Sequence, residues 1–255
     1  MNLTGNTHLK ILLAILSLVF TAGCGNTAKQ QQDSADTTQA VLAETPPAEA
    51  AKNTTTIGDC KSADTLLYSE EGIFSSYTED KIRGVGVISF QLDINDRLDI
   101  YNIDGTKFGF LVYNDDQTYY MQDMPSKIIA RAIIPLADQA QFDFDAEATN
   151  TDKDYLIIYV NKEKRKVKKA GAKCTFSKWD DYLKNNKVRL KACNRLPAAG
   201  SNNDMTYEVL QLKGDQIKIK SVPDCSGEDE GFKPVEGWIK WKNADLLTVD
   251  LASCN

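Results

Sequence analysis

Asp143, Asp145 and Glu147 alternate along the chain, with Asp152 and Asp154 a little farther on. Carboxylates in that pattern suit two chemistries, calcium ligation and the acid–base pair of glycoside hydrolysis. Ala148 stands where an EF-hand loop needs glycine, and no bidentate glutamate follows at the expected place, so an EF-hand is excluded. An acidic surface loop is the simpler reading, with an acid and base for glycan cleavage as its rival. The chain has a single histidine, His8, which precedes a long apolar run. If that run is removed on export, no imidazole remains. Histidine-assisted nucleophiles, histidine general bases and imidazole zinc sites then drop out. No metal and no cofactor is expected.

Between Val160 and Cys174 a basic run, which includes Lys164, Arg165, Lys166, Lys168 and Lys169, interrupts a chain whose formal charge is −6. Anionic lipid or glycan is one possible partner. The alternative is a solvated hairpin edge whose lysines discourage strand pairing between molecules. The acidic balance gives no general attraction to phosphate backbones, so no nucleic-acid partner is expected. Tyr207, Trp238 and Trp241 form the candidate aromatic surface for a peptide or glycan. Trp238 and Trp241 are three apart, so a regular strand points them to opposite faces and at least one belongs in the core.

Those side chains need a body to position them, and the first residues say where that body is sent. Lys10 precedes the apolar run Ile11 to Phe20, followed by the small residues Thr21-Ala22-Gly23 and then Cys24. As a helix the run would be about 15 Å long, half of a hydrocarbon core, so a cleaved export signal is expected over 1–23. Small residues directly before a cysteine resemble the lipobox of bacterial lipoproteins. The resemblance implies that Cys24 receives diacylglycerol and becomes the mature N-terminus. Several acyl chains would then hold the protein at a membrane of the cell envelope, exposed to the periplasm or the cell surface. From 24 to 56 the chain is rich in Ala, Thr and Gln, includes Pro46-Pro47 and has no aromatic residue. Such a segment cannot build a core and is expected to be a disordered tether.

With Cys24 set aside, Cys60, Cys174, Cys193, Cys225 and Cys254 remain, none at the short spacing of metal or redox pairs. An oxidising compartment favours disulfides, and proximity along the chain suggests Cys174 with Cys193 and Cys225 with Cys254. Cys60 would then be single.

The remainder reads as mainly β. Val85 to Leu92, Leu98 to Ile103, Thr106 to Tyr113 and Tyr155 to Val160 are short stretches rich in β-branched and aromatic residues. Asp104-Gly105 between two alternating runs predicts a tight hairpin. Tyr119-Tyr120-Met121 is read as a further strand, and Ile128 to Ile134 fits strand or helix equally. One short helix is expected over Trp179 to Leu183, capped by Ser177. Organisation follows as an N-terminal β module over 57–150 and a C-terminal β module over 151–255.

In the second module, Tyr207 to Leu212, the turn Lys213-Gly214-Asp215 and Gln216-Ile217-Lys218-Ile219-Lys220 precede Gly237-Trp238-Ile239 and Leu246 to Leu251. These features in this order resemble a bacterial SH3-like barrel, over about 206–251. The resemblance implies a small β-barrel that binds peptides, cell-wall material or other domains. The expected function is a lipid-anchored envelope protein with a non-catalytic interaction or scaffolding role, its partner an envelope protein, a peptide or peptidoglycan. The alternative is a histidine-free envelope glycan hydrolase using paired carboxylates.

Overall fold

The computed structural model describes residues 64–70, 74–114, 119–122, 125–136, 138–194, 196, 205–223 and 232–252. Cys24, Cys60, Cys225, Cys254 and the expected signal and tether lie outside them. The described chain runs β1 (Thr65–Glu70), β2 (Phe74–Thr78), β3 (Gly86–Asp93), β4 (Arg97–Asn102), β5 (Lys107–Tyr113), β6 (Tyr119–Gln122), β7 (Lys127–Ile129), β8 (Ala132–Pro135), β9 (Gln139–Ala146), β10 (Tyr155–Val160), β11 (Glu163–Lys168) and β12 (Cys174–Lys178). Helix α1 (Trp179–Asn185) follows. The chain then continues through β13 (Lys187–Leu190), β14 (Thr206–Lys213), β15 (Gln216–Val222), β16 (Glu236–Lys240), β17 (Lys242–Asn243), β18 (Leu246–Leu247) and β19 (Val249–Ala252). The protein is mainly β, as its composition of short apolar and aromatic runs requires.

A large sheet has the order β12-β3-β9-β10-β11-β4-β5-β6, with β8 also paired to β9. A small one has the order β1-β2-β7, and a five-stranded one β16-β15-β14-β13-β19. None of the described sheets closes into a barrel. The division expected at 150 falls inside the large sheet, because β10, β11 and β12 lie beyond it in sequence yet complete that sheet with β3, β4 and β9. The five-stranded sheet also reaches further back than 206, since β13 is hydrogen-bonded between β14 and β19.

Local chemistry explains the turns. Asp104 Oδ1 accepts from the Thr106 backbone N–H at 2.9 Å, and Gly105 adopts a φ of +94°, closing the β4–β5 hairpin where Asp-Gly predicted it. The segment expected to be helix or strand becomes two strands, β7 and β8, broken at Ala130-Arg131. Helix α1 begins where expected but without a Ser177 cap. Lys178 is the extended residue at its start, no side chain caps it, and Asp180 and Asp181 supply negative charge to the first turn instead.

Two cores result. The first lies on the inner face of the large sheet, where Ile88, Phe90, Phe142, Phe144, Leu156 and Ile158 are fully or almost fully buried. Alternation along β10 buries Leu156, Ile158 and Val160 and leaves Tyr155, Ile157 and Tyr159 half-buried on the other face. The second core joins Trp179, Tyr182 and Leu183 of α1 to Tyr207 and Ile217 of the five-stranded sheet and to Trp241, which directly follows β16. Val87 of β3 belongs to this second core, so the back of the large sheet is what the helix packs on.

Candidate binding cleft between sheet edges

The segment from Glu79 to Arg83, between β2 and β3, is held from both sides. On one side lies Arg131, just before β8 and 4% exposed. Its Nη1 donates to the Glu79 carbonyl at 2.7 Å and its Nη2 to the Lys81 carbonyl at 2.9 Å. The same guanidinium grips Asp145 through Nε and Nη2, both at 2.7 Å. Asp145 also accepts the Arg83 backbone N–H at 2.7 Å. From the other side come groups of the C-terminal strands: the Leu247 N–H donates to the Asp80 carbonyl at 2.8 Å and the Ile82 N–H to the Asp245 carbonyl at 2.6 Å. Buried Lys191 bonds the Asp80 carboxylate and reaches Asp250 at 3.2 Å.

Above this seam opens a cleft of about 460 Å³, within the size range of ligand pockets. Its lining is mixed: Leu66 from β1, Ile134 from β8 and Leu251 from β19 present aliphatic side chains, Glu79, Asp80, Asp250 and the exposed Arg189 stand beside them, and Ile133 and Val249 turn into the two cores. Three strands that border it are sheet edges: among the described residues β1 pairs only with β2, β8 only with β9 and β19 only with β13. Edge strands carry a free row of N–H and C=O groups. Leu66, 53% exposed, and Leu67 extend an apolar surface along the β1 edge.

Of the acidic residues, Glu147, Asp152 and Asp154 lie in the loop between β9 and β10 as expected, but Asp143 and Asp145 do not. Asp143 and Asp145 lie in β9, with Phe142 and Phe144 pointing into the first core and the two aspartates pointing the other way, beneath α1 and Arg131. A run read as acidic is in fact an amphipathic strand with both faces covered. Asp143 accepts the Tyr182 hydroxyl at 2.7 Å and the Gln141 amide at 2.9 Å. Burial raises the Asp143 carboxyl above its ordinary value against these bonds, and burial beside Asp143 lifts the Tyr182 hydroxyl well above its own. Burial likewise raises Asp145 despite Arg131; burial pulls Arg131 down, but the charge and hydrogen bonds of Asp145, together with Tyr182 and Glu79, hold it above its usual value. At the cleft itself Glu79 is paired with Arg83 at 2.6 Å, and Asp80 and Asp250 with Lys191. No cluster of three or more metal-ligating side chains occurs among the described residues.

The aromatic candidates separate. Tyr207 is fully buried and Trp241 is 2% exposed, its indole N–H donating to the Gly214 carbonyl at 3.1 Å. Both are core residues, because the five-stranded sheet turns that face toward α1. Trp238, on β16, is 43% exposed and remains available at the opposite edge of that sheet, away from the cleft. Gly237 beside it admits Leu196, since a Cβ there would lie 2.4 Å from the leucine Cδ1.

The basic run is β11, and it is not an edge: β10 flanks it on one side and β4 on the other. Arg165 faces away from the lysines, stacked at 4.3 Å on the Phe108 ring and paired with Glu163 at 2.7 Å. Lys169 bonds the Asp152 and Lys153 carbonyls. Lys164, Lys166 and Lys168 share the solvent side.

Residue types alone did not single out Arg131, Lys191 or the edge strands. One available signal was Arg131 standing between two apolar triplets, Ile128-Ile129-Ala130 and Ala132-Ile133-Ile134. A cation in such a position must be buried with a partner or exposed at a break in the strand. Comparison of the chain with protein-family models, with curated proteins and with solved structures finds no match.

Proposed function

We propose that this chain is a lipid-anchored envelope protein with a non-catalytic interaction role, and that it takes up an extended peptide segment by strand addition in the cleft. The observation that carries the reading is the convergence of three strands that are sheet edges among the described residues, β1, β8 and β19, on one cleft. Main-chain hydrogen bonds to an edge supply affinity in such recognition, and pockets for every second side chain supply selectivity. The aliphatic side chains of Leu66, Ile134 and Leu251 beside charged groups suit a strand that alternates apolar and polar residues. The Arg131 and Lys191 seam keeps the edges at a fixed separation, which reduces the ordering cost of binding.

What supports the lipid anchor is the run Ala22-Gly23-Cys24 after the apolar segment. What supports an SH3-like arrangement is the meander β13-β14-β15-β16 with the last strand, β19, returning to pair with the first. That pairing brings the two ends of a small module together, as a barrel of this type requires.

Panning a displayed library of short random peptides against the full chain tests the interaction role. Enriched sequences are expected to alternate apolar and polar residues, and their binding is expected to fall when Leu251→Lys places a charge in the cleft. No enrichment, or binding that survives Leu251→Lys and is lost with Trp238→Ala, overturns the reading.

A further inference from the structure

We infer that the outer face of β10, β11 and β4 is a docking surface for an anionic lipid bilayer. The chain is acidic as a whole, yet Lys164, Lys166 and Lys168 stand in a row on the solvent side of β11. Strand register puts Tyr159 opposite Lys164, Ile157 opposite Lys166 and Tyr155 opposite Lys168. The ammonium groups lie over tyrosine rings: Lys166 at 4.7 Å from Tyr155, Lys164 at 5.8 Å from Tyr159 and Lys168 at 5.8 Å from Tyr101 on β4. Glu147 pairs with Lys164 at 2.8 Å, and Lys166 donates to the Ile103 carbonyl at 3.0 Å. Tyrosine and lysine side chains both carry an apolar body and a polar tip, the shape that suits the headgroup layer. Juxtamembrane lysines add electrostatic attraction to anionic lipids.

The lipid-anchor reading, together with the row of lysines, favours a membrane as the occupant. The segment that follows Cys24 arrives at Asp64, which is ion-paired with Lys162 at 3.1 Å and with Lys127 at 3.2 Å. Lys162 lies in the β10–β11 turn, at the Lys164 end of the row. The described chain therefore begins beside the Lys164 end of the row, and an anchor at Cys24 would hold a bilayer within reach of this face. This inference rests on the lipid-anchor reading for that reach.

The test is lysine acylation of the full chain, read by mass spectrometry after proteolysis, on vesicles of phosphatidylcholine alone or with about one-third phosphatidylglycerol. Lys164, Lys166 and Lys168 are expected to react about five-fold more slowly on the anionic vesicles, and Lys213 and Lys220 equally on both. Salt at about 0.5 M, which shortens the screening length to about 4 Å, is expected to remove the difference. Equal reaction on the two vesicles, or slowing that extends to Lys213, overturns the proposal. Protection by a soluble anionic polysaccharide with none on anionic vesicles also overturns it, assigning the face to glycan. The same digest weighs the Cys24 peptide. An acylated Cys24 without lysine protection refutes the docking face, whereas protection with an unmodified Cys24 supports the face and refutes the anchor.

Discussion

Arg131 and Asp145 form a two-pronged ion pair, both bonds 2.7 Å, in which the arginine side chain is 3% and the aspartate 5% exposed. Neither partner can lose the other without leaving a charge stranded away from water. Because the remaining Arg131 donors hold the Glu79 and Lys81 carbonyls, the pair also fixes the segment that the C-terminal strands bind through Asp80, Lys81 and Ile82. The cleft is therefore only as well defined as this pair.

Replacing Arg131 with Met is expected to cost about 3–5 kcal/mol in denaturant-induced unfolding, since Asp145 would stay buried without its cation. Arg131→Met combined with Asp145→Leu is expected to cost much less than the two single changes added together, the signature of coupled groups. A single-variant cost under about 1 kcal/mol would show that the pair is not shielded from water as described.

Asp143 gives a pH dependence of known sign. Burial raises its carboxyl in the folded protein, so the folded state holds this proton more tightly than the unfolded chain. Its contribution to stability therefore declines as pH rises from the ordinary carboxylate range through the raised folded value. Asp143→Asn, which still offers Tyr182 an acceptor, is expected to remove that decline. Melting temperatures across acidic to neutral pH should show the variant gaining on the parent as pH rises. Parallel curves would contradict the assignment.

Gly84→Ala tests how closely the segment approaches β9. Gly84 has a φ of +63°, and a Cβ there would sit 2.2 Å from the Ala146 carbonyl oxygen, which is backbone and cannot swing aside. A loss of about 2 kcal/mol or more is expected by thermal or chemical unfolding, from strain together with the Val85 N–H bond to that same oxygen. Full stability in the alanine variant would mean that the segment has another resting place.

Trp241→Ala and Trp238→Ala should diverge. The buried Trp241 is expected to cost about 3–5 kcal/mol, and the exposed Trp238 less than about 1 kcal/mol. Similar costs would place both indoles in one environment.

How far the sequence could be read depends on whether a residue's role is local. Asp104-Gly105 and Lys213-Gly214-Asp215 marked real hairpins because a turn is decided by the conformations of its own residues. Tyr155 to Val160 became β10 without adjustment, its alternation matching one buried face. Asp143 and Asp145 misled because an exposed loop and a strand covered on both faces share the same residue types until α1 and Arg131 are placed over them. The basic run suggested an edge, yet β11 has a neighbour on each side, and only pairing with β4, distant in sequence, reveals it. Tyr207 and Trp241 offered rings to a ligand on paper and give them to α1 in the fold. The cleft belongs to the same category, since an edge strand is defined by partners it lacks.

Amide hydrogen exchange on the full chain, with and without a peptide selected by panning, tests the cleft most directly. The account predicts that the peptide slows exchange along β1, β8 and β19 and leaves β16 and the β14–β15 turn unchanged. Slowing confined to β16 around Trp238, or spread evenly over the molecule, would contradict it.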